Sequence, residues 1–532
     1  YRFARAAADA KTNLVTYLLT NRKTIDPSLN SFFDNLTSWE KLSHNATLPE
    51  FFQAVLEQSG FLNFVLSSPN PHLLLADFVA FFDHLKSLTQ TNTNFTLNDF
   101  VNQLELYSTH HLKLNVDHPL TDNALTLTTI HKAKGLEWNS VFLYRCIDGT
   151  WGNARRQQLF HLPANILEFA IPTDPNEEER RLFYVALTRA KQRLYISSSA
   201  SYPDTTKATI PSLFTSELPE NLVTKKQIDK SSSATLAKVL TPISNPLNSP
   251  SESNFLKSLL QNFKLSVTAL NTYLECPYKF KLNDLYKVPR AKEPYLSFGT
   301  AVHKALELFH KKLISDQLRP PKDYLLTQFE TALKLEVLTP SDLKDRLKEG
   351  LKILSAYYDF YKDDFFPALF TEKYFGYTPL SSSLLDDTPL VGKIDRIDIV
   401  DHADRTIRVI DYKTGAPKTR GEIEGTTKNS DGAYKRQLVF YQLLTDLDKR
   451  FPYPMVEAQL DFVQPDDQGR FKKEVFKITK EEVQQLKEII KASLKDIHAL
   501  KFPRTTNYQI CPRCEFKDHC WPNGIPTLTK AL

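Results

Sequence analysis

Residues 407–415 read IRVIDYKTG, and this stretch decides the fold. In an extended strand residues two apart share a face, about 6.6 Å apart along it. Asp411 and Lys413 therefore point together, while Ile410 and Tyr412 face the other way. Upstream, GKIDRID (from Gly392) supplies Asp395 at the end of a second strand, VGKID, which can lie alongside. Further upstream, FGTAVHKALELFH reads as a helix carrying His303 and Glu307 one turn apart. Carboxylates and an imidazole suit Mg²⁺ or Mn²⁺, which orients water and neutralises charge on a scissile phosphate. Lys413 would steady the attacking water or the developing charge. Each residue alone is bland: His303 is an ordinary helix histidine, Asp395 with Arg396 a surface ion pair, and D-x-K a chance string. The ordered set points to metal-dependent phosphodiester cleavage.

The totals set no obstacle. At 532 residues the chain should hold three or four domains. A hydrophobic share of 41% and a charged share of 24% are ordinary globular values. A formal net charge of +5 is compatible with nucleic acid but too weak to argue for it. No 18-residue apolar run and no secretory start is visible, so no membrane role is expected. The chain opens at Tyr1 inside ARAAADAKTNLVTYLL, which reads as a helix, and is expected to be part of a longer protein.

Working outward, residues 1–118 read as helices: SLNSFFDNLTSWEKL, LPEFFQAVLEQSGFL and LLLADFVAFFDHLKSL carry apolar residues at helical spacing. Residues 119–200 alternate strand and helix. LTLTTIH, SVFLY and QRLYISS read as strands and NEEERRLFYVALTRA as a helix, implying a parallel α/β sheet. Residues 201–262 have a Ser/Pro/Thr/Asn/Lys linker composition. Residues 263–532 are globular again, with strands near 370–413, a helix at 434–445 and a cysteine-containing tail. The expected class is a multidomain α/β protein.

Two segments of the first half carry charge in a particular order. TLTTIHKAKGLEW (Thr126 to Trp138) reads as a strand ending in a turn where Gly135 lets the backbone approach a ligand and Lys132 and Lys134 bring positive charge. EEERRLFYVALTRAK (Glu177 to Lys191) reads as a helix with Leu182, Val185 and Ala186 as its buried stripe and Arg189 on its last turn. Together they resemble motifs V and VI of the UvrD/Rep/PcrA-like superfamily 1 DNA helicases, a likeness covering roughly residues 1–200. The resemblance implies that 119–200 is a second RecA-like motor domain preceded by a helical accessory region. It also implies that His131 and Lys132 meet single-stranded DNA, Gly135 and Glu137 lie by ATP, and Arg189 contacts the γ-phosphate. No GxxxxGK[ST] loop is present in the sequence, so ATP hydrolysis needs a further motor half.

In the second half, the order His303, GKID, DYK and QLVFY (Gln437 and Tyr441) resembles the RecB-family branch of the PD-(D/E)xK nucleases, over about residues 263–525. That implies a metal held by His303, Asp395 and Asp411, a catalytic Lys413, and Gln437 and Tyr441 at the site's rim. Cys511, Cys514 and Cys520, with Cys276 far upstream, form a four-thiolate set. Such a set argues for a metal centre in a reducing cytoplasm rather than disulfides. Zinc is the rival on chemistry alone; the unequal spacing resembles the iron–sulfur nucleases of the AddB type, implying a structural 4Fe–4S cluster. His519 reads as a bystander, and Cys146, in VFLYRCI, as a buried small hydrophobe.

The expected whole is a helicase–nuclease of DNA repair and recombination. By resemblance it translocates 3′→5′ and acts on single strands and duplex ends, with a partner helicase or nuclease subunit a further expectation. Two other readings stand beside it. One is an AddB-like nuclease subunit whose motor half is only a DNA-binding scaffold; the other is a non-catalytic DNA-end-binding protein.

Overall fold

A computed structural model describes residues 2–21, 30–110, 112–114, 125–153, 175–202, 208–226, 252–376, 383–428 and 430–526. It divides into two compact units, one of residues 122–248 and one joining 1–121 with 249–532. Part of the stretch read as a linker, 203–207 and 227–251, lies outside the described residues, as does the boundary near 119.

In the smaller unit, β1 (Trp138–Leu143) and β2 (Ala190–Ile196) pair in parallel, with the helix Pro175–Leu187 leading into β2. The parallel pairing agrees with the sequence pattern, but LTLTTIH is not a strand: residues 125–129 are irregular and a turn follows. A strand needs a neighbour, and among the described residues β1 and β2 pair with each other. The helix buries Phe183 and Ala186, leaving Leu182 and Val185 half-buried, so its inward face is turned from the expected stripe. Cys146 is fully buried with Leu143, Phe183 and Phe214, and burial pushes its thiol up to about 11.

The larger unit begins with helices, including Asn30–Asn45, Leu48–Gln58, Pro71–Thr91 and Leu97–Thr109. Thr47–Glu50 and Thr96–Asp99 close capping boxes at two of their starts, satisfying amide donors the first turn leaves unpaired. Glu252–Gln261, inside the range read as a linker, forms a helix whose Phe255, Leu256 and Leu260 join one core with Val65 and Leu75.

The rest of this unit is built on a seven-stranded mixed sheet. Its strands are β3 (Leu265–Ser266), β4 (Phe370–Phe375), β5 (Ser383–Leu385), β6 (Thr388–Asp401), β7 (Thr406–Lys413), β8 (Met455–Phe462) and β9 (Lys472–Phe476). β6 runs antiparallel to β4 and β7, and β7 runs parallel to β8. Parallel neighbours need a crossover; here it carries the helix Ala433–Leu447. Gly392 explains how closely that helix sits on β6: a Cβ there would lie 2.5 Å from Leu444 Cδ1. Ile407 and Val409 enter the core beneath the crossover helix. Ile410 and Tyr412 enter a second core with the helices Pro294–Asp316 and Pro340–Tyr361. The sheet is thus covered on both faces, and β7 brings its alternate residues to each.

Candidate active site

β7 ends at Lys413, where its alternation leaves Asp411 and Lys413 at an open cleft of about 740 Å³. Tyr295, His303, Glu307, Glu372, Lys393, Asp395, Tyr434, Gln437 and Tyr441 also line it. Asp395 lies inside β6 rather than at a strand end, because β6 continues to Asp401. Pairing of Arg396 with Ile410 sets Asp395 beside Asp411 in the antiparallel ladder.

Four elements fix the charged groups. His303, on the helix Pro294–Asp316, brings Nδ1 to 3.2 Å from Asp395 Oδ1. The backbone N–H of Tyr412 donates to Asp395 Oδ2 at 2.9 Å. Gln437 and Tyr441, one turn apart on the crossover helix, both donate to Asp411 Oδ1, at 2.9 and 2.8 Å. Lys413 Nζ stands 2.8 Å from Asp411 Oδ2, donates to Gln437 Oε1 at 2.7 Å and lies 4.6 Å from the centre of the Tyr434 ring. Asp395, Asp411, Lys413, Gln437, Tyr441 and His303 are therefore all gathered at one cleft.

The electrostatics follow from burial and pairing. Burial opposes the charge on Asp395, yet His303, the Tyr412 N–H and Lys413 hold its carboxyl below the usual range. Burial likewise works against the His303 imidazolium, but Asp395, then Asp411 and Glu372, raise it. Lys413 is raised by Asp411 against the same opposing burial.

Glu372 was missed in the sequence. A His303 ring nitrogen and one carboxylate oxygen each of Glu372 and Asp395 lie within 4.8 Å of one another. One imidazole and two carboxylates at that separation fit a hard divalent cation such as Mg²⁺ or Mn²⁺. Asp411, expected among the ligands, stands beside this trio rather than within it. Its Oδ2 is buried and pairs with the Lys413 ammonium at 2.8 Å. No signal in FTEKYF marks Glu372, because its place depends on what lies across the sheet.

The cysteines meet as well. Cys276 ends the helix Val267–Glu275, and Cys511, Cys514 and Cys520 come from the tail; all four line one small cavity with Lys279 and Arg504. Burial pushes the Cys520 thiol up to about 11, with the other three cysteines adding to the rise and Arg504 opposing it. Four soft sulfur donors gathered at one cavity are a set that suits a thiophilic metal. The tail is also tied down by Glu515, which accepts from Asn283 at 2.9 Å and from Arg290 at 2.8 Å. His519 stacks on Tyr278 with its Nε2 3.0 Å from that hydroxyl, occupied outside the thiol set.

In the smaller unit Arg189 donates to the carbonyls of Val185 (2.9 Å) and Leu136 (3.1 Å), fastening the helix end to the turn before β1. Glu137 forms an exposed ion pair with Lys191 at 3.7 Å. Gly135 has φ +87°, a conformation that favours glycine, with open space where a Cβ would be. His131 and Lys132 are exposed. These five residues share one segment and its neighbouring helix end.

Comparison with known proteins divides the chain in two. Residues 264–521 match the PD-(D/E)XK nuclease superfamily, and residues 27–201 match the UvrD-like helicase C-terminal domain. The second match spans residues that belong to both compact units. A Mycoplasma pneumoniae protein named "Probable DNA helicase II homolog" is 31% identical over 31% of this chain and 21% of its own. The ATP-dependent DNA helicase PcrA of Bacillus subtilis is 26% identical over 42% of this chain and 29% of its own. The ATP-dependent DNA helicase UvrD2 of Mycobacterium bovis is 41% identical over 16% of this chain and 11% of its own. The chain thus spans between 11% and 29% of the lengths of these three relatives. Among the described residues, no helix is long and apolar enough to cross a membrane.

Proposed function

Since the chain joins a UvrD-like helicase C-terminal domain to a PD-(D/E)XK nuclease domain, we propose that it is the cutting end of a cytoplasmic ATP-dependent helicase–nuclease acting on DNA in repair and recombination. The observation that carries this reading is the joining of Asp395, Asp411 and Lys413 through His303, Gln437 and Tyr441 in one open cleft.

His303 and Asp395 would hold a divalent ion, with Asp411 beside them as the third ligand that the resemblance implies. When bound, that ion supplies an activated water and neutralises charge on the scissile phosphate. The chain's own residues do the positioning. Gln437 and Tyr441 occupy Asp411 Oδ1, which turns Oδ2 toward the lysine. The Lys413 ammonium, held by Gln437 Oε1 and Asp411, is a fixed positive charge for the nucleophile or the phosphate. His303, with the Tyr412 amide and Lys413, keeps Asp395 ionised, and the amide orients it.

The thiol set of Cys276, Cys511, Cys514 and Cys520 would hold a structural 4Fe–4S cluster, which the resemblance to the AddB-type nucleases favours over a single zinc ion. Its work is to clamp the tail against the helix Val267–Glu275. In the other half, Arg189, Glu137 and Gly135 would form one side of an ATP site. His131 and Lys132 would meet a DNA strand along which the motor translocates 3′→5′.

The test is cleavage of end-labelled single-stranded and duplex DNA by the whole chain in Mg²⁺, against Asp411→Asn and Lys413→Ala. Each substitution should lower the rate on the order of a hundred- to a thousandfold while circular dichroism stays unchanged. Undiminished cleavage by either variant would overturn the assignment.

A further inference from the structure

We propose that Glu372, a left-handed residue in the middle of β4, is a further ligand of the divalent ion. The proposal rests on the metal-dependent reading above and deepens it.

The ladder between β4 and β6 keeps one register: Thr371 faces Arg396 and Lys373 faces Ile394. Glu372 falls between them, opposite Asp395, and there its φ is +51°. In that conformation the Cβ of an L-residue crowds its own carbonyl, which is why glycine or asparagine usually fills it. No turn or chain reversal requires it here, since the strand continues in register on both sides. Backbone held against its preference within a strand and beside charged groups is a mark of a functional constraint.

The consequence is convergence. β4 supplies Glu372, β6 supplies Asp395 and the helix Pro294–Asp316 supplies His303, with one donor atom of each inside 4.8 Å. The Glu372 side chain is only 10% exposed, so its charge needs a partner. Lys393 is that partner in the structure, forming a close ion pair with it. Opposite Asp395 in the ladder, Glu372 shares its face of the sheet, and the left-handed φ marks backbone strain at the point where the three donors meet. Lys393 is 40% exposed on a flexible stem and lines the same cleft. It can leave Glu372 to a metal ion and turn toward a phosphate.

The experiment titrates Mn²⁺ into the chelator-stripped whole chain without DNA, following free Mn²⁺ by electron paramagnetic resonance. Glu372→Gln should weaken the tightest site at least tenfold, whereas Lys393→Gln, which breaks the same ion pair from the other side, should leave it equal or tighter. Glu372→Gly removes the carboxylate while suiting the left-handed backbone, and should match Glu372→Gln with an unchanged unfolding midpoint. Wild-type affinity in Glu372→Gln, or equal weakening in Lys393→Gln, would overturn the proposal and leave the nuclease reading standing. A wild-type chain that binds no Mn²⁺ would end both.

Discussion

Tyr412 donates its backbone N–H to Asp395 Oδ2 at 2.9 Å, across the ladder from β7 to β6. Its side chain leaves on the opposite face, where the hydroxyl lies 3.0 Å from His310 Nε2 and 3.4 Å from Arg396 Nη1. Burial, then Arg396 and Lys473, keep His310 far below the usual histidine range, so the ring is neutral and its Nε2 can accept. Arg396 also grips Asp398 through two 2.7 Å bonds. One residue thus joins the cleft, through its amide, to a buried polar layer, through its phenol.

That division gives a prediction. Tyr412→Phe removes the hydroxyl but not the amide. It should cost about 1–2 kcal/mol of stability by urea unfolding, while the rate of DNA cleavage under native conditions falls less than tenfold. A thousandfold loss of cleavage would show that the buried layer, and not the amide alone, sets the position of Asp395.

The cysteine clamp predicts coupled losses. The chain prepared without air should be brown and carry about four irons. Cys276→Ser should lose them, and stability should drop by up to ~5 kcal/mol, the order expected when a loop of a few hundred residues is released. Iron analysis with urea unfolding checks both. Colourless protein with one zinc would contradict the iron assignment and keep the clamp.

Asp284 predicts a pH dependence. Its Oδ2 is buried without a hydrogen bond, and burial pushes the carboxyl up to about 6, only partly offset by Lys279. The folded state therefore favours the protonated form. This contribution is complete below the unfolded value near 4 and is lost as pH rises toward 6. Asp284→Asn should then be more stable than the wild type at pH 7.5, on the order of 2 kcal/mol after discounting for partial exposure. At pH 5 the gap should narrow. Unfolding curves at the two pH values decide it; an equal deficit in the variant at both would be contrary.

What the sequence made legible was local. Strand parity placed Asp411 with Lys413 and sent Ile410 and Tyr412 to the other face, because the period of two needs no knowledge of the partner strand. Helix spacing likewise put Gln437 and Tyr441 on one face, where Gln437 Nε2 donates to the Tyr441 hydroxyl at 2.7 Å. Glu372 was hidden, since its position follows from the residue across β6 and a backbone angle that FTEKYF does not announce. The helix Pro175–Leu187 buries Phe183 rather than Leu182 and Val185 because Trp151 and Phe214 pack against that ring. LTLTTIH had a strand's composition, and residues 125–129 are nevertheless irregular. The helix Glu252–Gln261 was masked by the polar residues around it, although its three buried apolar side chains have helical spacing.

The most direct test is addition of Mg²⁺ to chelator-stripped whole chain already mixed with end-labelled DNA. Cutting that begins only on adding the metal, and stops again with excess chelator, is the predicted result. Intact DNA in saturating Mg²⁺, or cutting that proceeds equally in chelator, would contradict a metal-dependent nuclease at Asp395, Asp411 and Lys413.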